Sequence, residues 1–177
     1  MKKILIFIYS VMITGSSTLA QDATQLSHTR INVGVGMSGW GVPIYGSVEF
    51  NASRDFNIGI GGSYQSIGES YNTASYRSSW QHTIIGFSGA GKYYFDRVLK
   101  IPSEYDLYAG ATAGYYIWNT KTTSNSGEIY SGSGAGGFGI GVIIGGRYYF
   151  NDNIAVHLEL GGNSVIASGG AGITFVL

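Results

Sequence analysis

The sequence predicts an all-β fold, an eight-stranded antiparallel up-and-down transmembrane β-barrel, on three observations. Apolar and polar or small residues alternate with period two through most of residues 30–177, the pattern of strands with two unlike faces. Composition is skewed: 29 of 177 residues are glycine, 25 are aromatic, and only 11% are charged, against about 25% in an average soluble domain. Finally, no apolar run after residue 20 approaches the about 20 residues of a spanning helix. A chain that crosses a membrane without such helices must close a barrel, because every backbone polar group needs a partner in hydrocarbon.

The first twenty residues are of another kind. Lys2 and Lys3 precede a short apolar run, Ile4–Ile13, and then small residues that end at Thr18-Leu19-Ala20. This is the order of a secretory signal peptide, with cleavage expected after Ala20. The expected organisation is therefore a signal peptide at 1–20, a lead at 21–29 and the barrel at 30–177. Without the signal the chain keeps eight basic and ten acidic residues, a net charge of −2. No basic patch is left to attract nucleic acid. There is no cysteine, which excludes disulfides, thiolate metal sites and a lipid-modified cysteine after the signal.

Eight strands follow in order. In the first, Arg30–Ser38, Ile31, Val33, Val35 and Met37 oppose Asn32, Gly34, Gly36 and Ser38. The second is Ile44–Phe50. The third, Phe56–Gln65, sets Phe56, Ile58, Ile60 and Tyr64 against Asn57, Gly59, Gly61 and Ser63. The fourth is Gln81–Phe95 and the fifth Tyr105–Asn119. In the sixth, Phe138–Phe150, Ile140, Val142, Ile144 and Tyr148 oppose Gly139, Gly141, Gly145, Arg147 and Tyr149. Ile154–Gly162 and Ser164–Leu177 complete the set. An internal repeat supports the count: the second, fourth and sixth strands end in Phe50-Asn51, Phe95-Asp96 and Phe150-Asn151. Three turns therefore lie at one end of the barrel. The segments Ile67–Trp80 and Thr120–Gly137, rich in Ser, Thr, Tyr and Gly, are expected as long loops at the other end, the asymmetry of outer-membrane barrels.

Polarity decides which face looks inward. A strand facing water carries many charged residues, and glycine weakens it; a narrow eight-stranded barrel instead needs small residues inside. Gly, Ser and the few charges are therefore expected in the lumen, with Ile, Val, Leu and Phe toward lipid.

Gly91-Lys92-Tyr93-Tyr94-Phe95 and Gly146-Arg147-Tyr148-Tyr149-Phe150, with the terminal Gly170–Leu177 (GAGITFVL), carry a family resemblance. The chain resembles the small outer-membrane barrels of the OmpA membrane-domain and OmpX type, and in its aromatic strand ends the barrels of this class found in Bacteroidetes. The resemblance covers about residues 30–177. It implies export to a bacterial outer membrane and recognition of the last strand by the outer-membrane assembly machinery, although the chain ends in Leu177 where that signal usually has Phe. It implies no single function, since such barrels do many jobs.

Residues able to do chemistry are few. Two G-x-G-x-x-G matches, Gly34–Gly39 and Gly132–Gly137, lack the following helix that a nucleotide site needs. Of the three histidines, His28 precedes the first strand and His82 is expected at the outer mouth. His157 is expected in the lumen beside Glu159, a pair that in another setting makes a metal half-site or part of a catalytic dyad. The inward charges Glu49, Lys92, Asp106, Arg147 and Glu159, with His157, are instead expected to form a structural polar cluster, since buried charge persists only when paired. If Phe150 pairs with Ile154, Arg147 faces His157 and is diagonal to Glu159; if Phe95 pairs with Tyr105, Lys92 is diagonal to Asp106. Tyr71, Tyr76, Arg77 and Trp80 form a possible contact surface on the outer loops.

These observations point to a non-enzymatic barrel with a closed polar lumen, without catalytic residues, metal or cofactor. It would contact outer-membrane lipid and serve envelope structure or interaction with an unidentified surface partner. Three alternatives stand beside it. A lipid-modifying barrel enzyme would show His, Ser and Glu on the lipid-facing wall. A secreted ligand-binding barrel would show an apolar cavity and a charged exterior, and a conduit would show an open lumen.

Overall fold

The computed structural model describes residues 29–38, 41–73, 76–123, 129–131, 134–164 and 167–177. The expected signal peptide, most of the lead and His28 lie outside the described residues. The strands are β1 (Thr29–Ser38), β2 (Ile44–Ser53), β3 (Phe56–Thr73), β4 (Tyr76–Tyr94), β5 (Tyr105–Thr123), β6 (Ile129–Ser131), β7 (Ala135–Asn151), β8 (Ile154–Asn163) and β9 (Ala167–Val176), with one short helix, α1 (Asp96–Leu99).

Eight of these strands close an antiparallel up-and-down barrel. Each pairs with its neighbours, and β9 returns to β1 in a register running from Arg30 opposite Val176 to Ser38 opposite Ser168. β6 lies outside the ring, paired to the far end of β5 through Lys121 opposite Ser131.

The polarity is inverted relative to a soluble barrel. Val142 is 69% exposed on the exterior, in company with Phe87, Phe138, Ile140, Leu158 and Leu160. Inside, Glu49 is 1% exposed, and Lys92 and Arg147 are buried with it. This exterior suits hydrocarbon, and it is the reverse of what a secreted ligand-binding barrel requires.

Glycine and tyrosine share the lumen. A Cβ on Gly145 would lie 2.7 Å from the Tyr108 ring, and one on Gly86 would lie 2.8 Å from that of Tyr116. The Tyr45 ring occupies the space beside Gly34 and Gly170 in the same way. Inward glycines thus make room for tyrosines from adjacent strands, which is how so narrow an interior is filled.

Two features depart from the sequence reading. The segments at 67–80 and 120–137 are not simply loops. β3 and β4 stay paired up to Thr73 opposite Tyr76, and β4 pairs with β5 as far as Ser79 opposite Thr123. β3, β4 and β5 hold 18, 19 and 19 residues, where β1, β2, β8 and β9 hold ten each. About 9–11 residues suffice to cross a bilayer, so one wall of the barrel projects well beyond the rim. Once both faces of a strand meet water, apolar alternation is no longer required. The strand persists there without its sequence signature.

The repeat at the turns is also used unequally. At Asn51 and Asn151 the ladder shifts register, and the Asn151 side chain accepts the N–H groups of Asn153 and Ile154. Phe95-Asp96 instead leads into α1. The Asp96 carboxylate accepts the Leu107 N–H at 2.7 Å, and the Phe95 N–H donates to the Leu107 carbonyl. Phe95 therefore faces Leu107 and not Tyr105, which moves the β4–β5 register by two residues and puts Lys92 opposite Gly110.

Candidate functional site: a charged plug in the lumen

The inward charges converge at one level of the barrel, toward the short-turn end. Period-two alternation points each of them inward, and closure of the sheet brings the separate strands face to face. Glu49 on β2 is the hub. Its Oε1 accepts from Lys92 Nζ at 2.5 Å, from Arg147 Nη2 at 2.8 Å and from Asn32 Nδ2 at 3.0 Å; its Oε2 accepts from Arg147 Nη2 at 2.9 Å and from Tyr94 at 3.0 Å. Lys92 also donates to Glu159 Oε1 at 2.6 Å, an atom that accepts the Tyr108 hydroxyl at 2.7 Å. Arg147 donates to the Tyr94 hydroxyl and lies 3.7 Å from Asp106, whose other partner is the Tyr149 hydroxyl at 2.7 Å.

The layer is balanced. Arg30 donates to Tyr149 at 3.2 Å and to Asn51 at 2.8 Å, so three bases (Arg30, Lys92, Arg147) meet three acids (Glu49, Asp106, Glu159). The tyrosines add a second kind of contact. Lys92 Nζ lies 4.7 Å from the centre of the Tyr108 ring and the Arg147 guanidinium 4.8 Å from it, within cation–π range.

His157 occupies the β8 side. Its backbone position is opposite Arg147. The Thr174 hydroxyl donates to Asn32 Oδ1 at 2.7 Å, so in its 3.0 Å contact with His157 Nδ1 the threonine oxygen must accept. Nδ1 then carries the proton, and in the neutral ring Nε2 accepts from Tyr45, 2.8 Å away. Both ring nitrogens are thereby engaged in holding β8, β9, β1 and β2 together.

The β7–β8 register places Arg147 opposite His157 and diagonal to Glu159, as expected, although Asn151 and not Phe150 pairs with Ile154; the ion pairs nevertheless differ. Glu159 is bonded to Lys92 and Tyr108, whereas the carboxylates within ion-pair reach of Arg147 are Glu49 and Asp106. Lys92 bridges Glu49 and Glu159, and the shifted β4–β5 register takes it away from Asp106. Arg30, Asn32 and Thr174 also belong to this layer. Their inward parity was readable, but their meeting depends on the β1–β9 closure, which no local pattern states.

Toward the far end of the barrel, on the inward-facing side of the sheet, His82 bonds the Thr120 hydroxyl through Nδ1 at 2.9 Å. Trp80 is 41% exposed and stands opposite Glu69 and Thr122 on the projecting wall. Tyr71, Tyr76 and Arg77 lie on the same β3–β4 extension, but their side chains lie outside the described residues. Among the described residues, no group of three or more His, Asp or Glu is placed to hold a metal ion. At the short-turn end, burial pushes the Asp96 carboxyl up to about 6; the Leu107 N–H opposes that rise and the neighbouring Asp106 adds to it.

No family model and no curated protein matches the chain. Among solved structures it is similar to Ail, the attachment invasion locus protein of Yersinia pestis, determined in complex with the heparin analogue sucrose octasulfate. The two are 9% identical, with a TM-score of 0.59 over 86% of this chain and 100% of that one. It is also similar to the N-terminal β-barrel domain of Pseudomonas aeruginosa OprF, at 15% identity and a TM-score of 0.51 over 86% and 98% of the two chains. A third similar structure is Neisserial surface protein A, at 15% identity and 0.50 over 84% and 94%. At these identities the likeness is one of architecture: the chain has the fold of the small eight-stranded outer-membrane β-barrels.

Proposed function

We propose that this protein is a non-enzymatic barrel of a bacterial outer membrane that presents a rigid surface-exposed sheet to a partner outside the cell. The observation that carries this reading is the projecting wall of β3, β4, β5 and β6, which continues for several residues beyond what a membrane crossing uses. It displays Glu69, Trp80, Gln81 and Lys121 around a shallow cleft, a mixture of aromatic and charged groups that suits contact surfaces. The inverted polarity supports residence in lipid, and the basic, apolar and small-residue order of 1–20 supports export through a cleaved signal. Gly170–Leu177 is the segment we assign to the assembly machinery. The OmpA/OmpX-like and Bacteroidetes-type kinship rests on the aromatic strand ends.

A non-catalytic role for the lumen layer is supported by its bonding. Glu49, Lys92, Arg147 and His157 are each committed to partners within the protein, and each is buried. A barrel enzyme acting on lipid needs its His, Ser and Glu on the outer wall, whereas His157 and Glu159 lie in the lumen layer.

The test is a strain lacking the protein, complemented with the intact chain or with a version in which residues 68–81 are replaced by a two-residue turn. Attachment to host or matrix surfaces should be lost with the trimmed barrel, while detergent resistance of the envelope stays normal. Full attachment by the trimmed version, at equal surface abundance, would overturn the interaction reading.

A further inference from the structure

The projecting wall has two unlike faces. The β3–β4 and β4–β5 ladders run to their far ends without a register shift, so the facing of each side chain continues upward from the barrel. Ile84, buried in the lumen at 4% exposure, marks the inner face. Above it on that face Ile67, His82 and Thr120 lie in one row across the sheet, and Glu69, Trp80 and Thr122 in the next. The outer face is Ser66, Gln81, Thr83, Asn119 and Lys121, polar throughout and with a cation where the inner face has an acid.

Three observations bear on Glu69 and Trp80, which stand opposite each other on β3 and β4. First, neither core nor membrane accounts for the indole. Trp80 is 41% exposed. Aromatic girdles face lipid, whereas Trp80 faces the other way, and the apolar exterior of its strand begins at Ile85, about 17 Å farther down. Second, Glu69 is exposed, and among the described residues no cation lies within ion-pair reach of it. Lys121 pairs with Gln81 and so belongs to the other face. Third, nothing in the ring covers the pair. β2 leaves β3 at Tyr64 and β7 leaves β5 at Trp118. The β1–β2 turn reaches Ile67, whose Cδ1 lies 3.6 Å from where a Cβ on Gly41 would stand; Glu69 and Trp80 lie beyond it.

We infer that the Trp80–Glu69 pair is a docking point for a cationic side chain, and that the partner of the surface sheet lays a lysine- or arginine-rich segment on the inner face. The negative face of an indole and a carboxylate attract the same ammonium or guanidinium. Residues opposite each other in a ladder have Cβ atoms about 4.5–5.5 Å apart, close enough for one cation to touch both. An anionic glycan would instead meet a carboxylate, with no Lys or Arg among the described residues of that face to offset it. The inference rests on the surface-sheet reading and names the chemistry of its partner.

NMR of the ¹⁵N-labelled, folded protein in an uncharged maltoside detergent tests the assignment through the Trp80 indole N–H. The probes are pentalysine amide, acetylated pentaglutamate and a heparin-derived hexasaccharide. Pentalysine should shift the Trp80 signal saturably and the two anionic probes should not. Glu69→Gln should weaken pentalysine binding by about tenfold, a difference of about 1.4 kcal/mol, while Lys121→Gln on the outer face leaves it within about twofold, the size of a weak surface charge effect. Heat-modifiable mobility on gels shows that each variant is folded. No saturable shift with pentalysine, equal binding by Glu69→Gln, or tighter binding of the hexasaccharide would overturn the inference. In the complemented strain, Glu69→Gln combined with Trp80→Leu should attach as poorly as the trimmed barrel. Normal attachment by this double variant, where the trimmed barrel has lost it, overturns the cation site and leaves the surface-sheet reading standing; full attachment by the trimmed barrel overturns both.

Discussion

Arg147 of β7 and Glu49 of β2 stand on opposite walls of the barrel and meet in its centre, one guanidinium nitrogen lying 2.8 and 2.9 Å from the two carboxylate oxygens. The pair is a cross-brace between strands that share no ladder. Removing one member leaves a buried charge uncompensated, which costs about 3–5 kcal/mol. Arg147→Met should lower unfolding stability by that order in urea titrations followed by tryptophan fluorescence. Arg147→Met combined with Glu49→Gln should recover part of it, since Lys92 keeps Glu159. A single variant that unfolds at the wild-type urea concentration would show that the pair does not brace the barrel.

The exterior predicts a second outcome. Ile58, Val142 and Leu158 are exposed on the outer wall. Arginine at any of them should destabilise the barrel in lipid vesicles by about 2–4 kcal/mol if the site lies at mid-bilayer, and by less near the rims. Recovery of folded wild-type protein from the periplasm without detergent would end the membrane reading.

Glu49, Arg147, Tyr94 and Tyr108 are all buried and mutually bonded or stacked in one layer, in a barrel whose interior is only wide enough for side chains. Purified protein in planar bilayers should give no long-lived unitary conductance. Reproducible steps from wild type would show that the layer opens.

Gly145 tests the packing rule of the lumen. Any Cβ there meets the Tyr108 ring at 2.7 Å and the Leu158 carbonyl at 2.8 Å. Gly145→Val should reduce the yield of folded barrel, and Tyr108→Ala in the same chain should restore part of it by vacating the ring's space. Equal folding of Gly145→Val and wild type would mean that the neighbours shift freely.

The folded Asp96 carboxyl titrates near 6, above its ordinary 3.8, so between these values the folded protein holds the proton more tightly than the unfolded chain. This contribution to stability is present in full below about 4 and is lost as pH rises through 6. Asp96→Asn keeps an acceptor for the Leu107 N–H. Its stability relative to wild type should therefore grow between pH 4 and pH 7, with the change confined to that interval. A difference that is flat with pH would show that Asp96 titrates normally.

The sequence by itself determined the strand count, the facing of each strand and the inversion of polarity. Each of these is a local consequence of period-two alternation and of glycine where a narrow interior needs it: Ile140 and Val142 point out because Gly139 and Gly141 point in. The strands' continuation at 67–80 and 120–123 was not legible, because outside the bilayer a paired strand has no apolar face to announce it. Nor was the partner of each charge. Lys92 was expected near Asp106, yet α1 and the grip of Asp96 on Leu107 move the β4–β5 register by two residues. Arg30 joined the plug only because β9 closes on β1. Tertiary structure decides these matters because register is set by turns and by ring closure, and a lumen only one side chain deep lets residues on opposite walls meet without any relation in sequence.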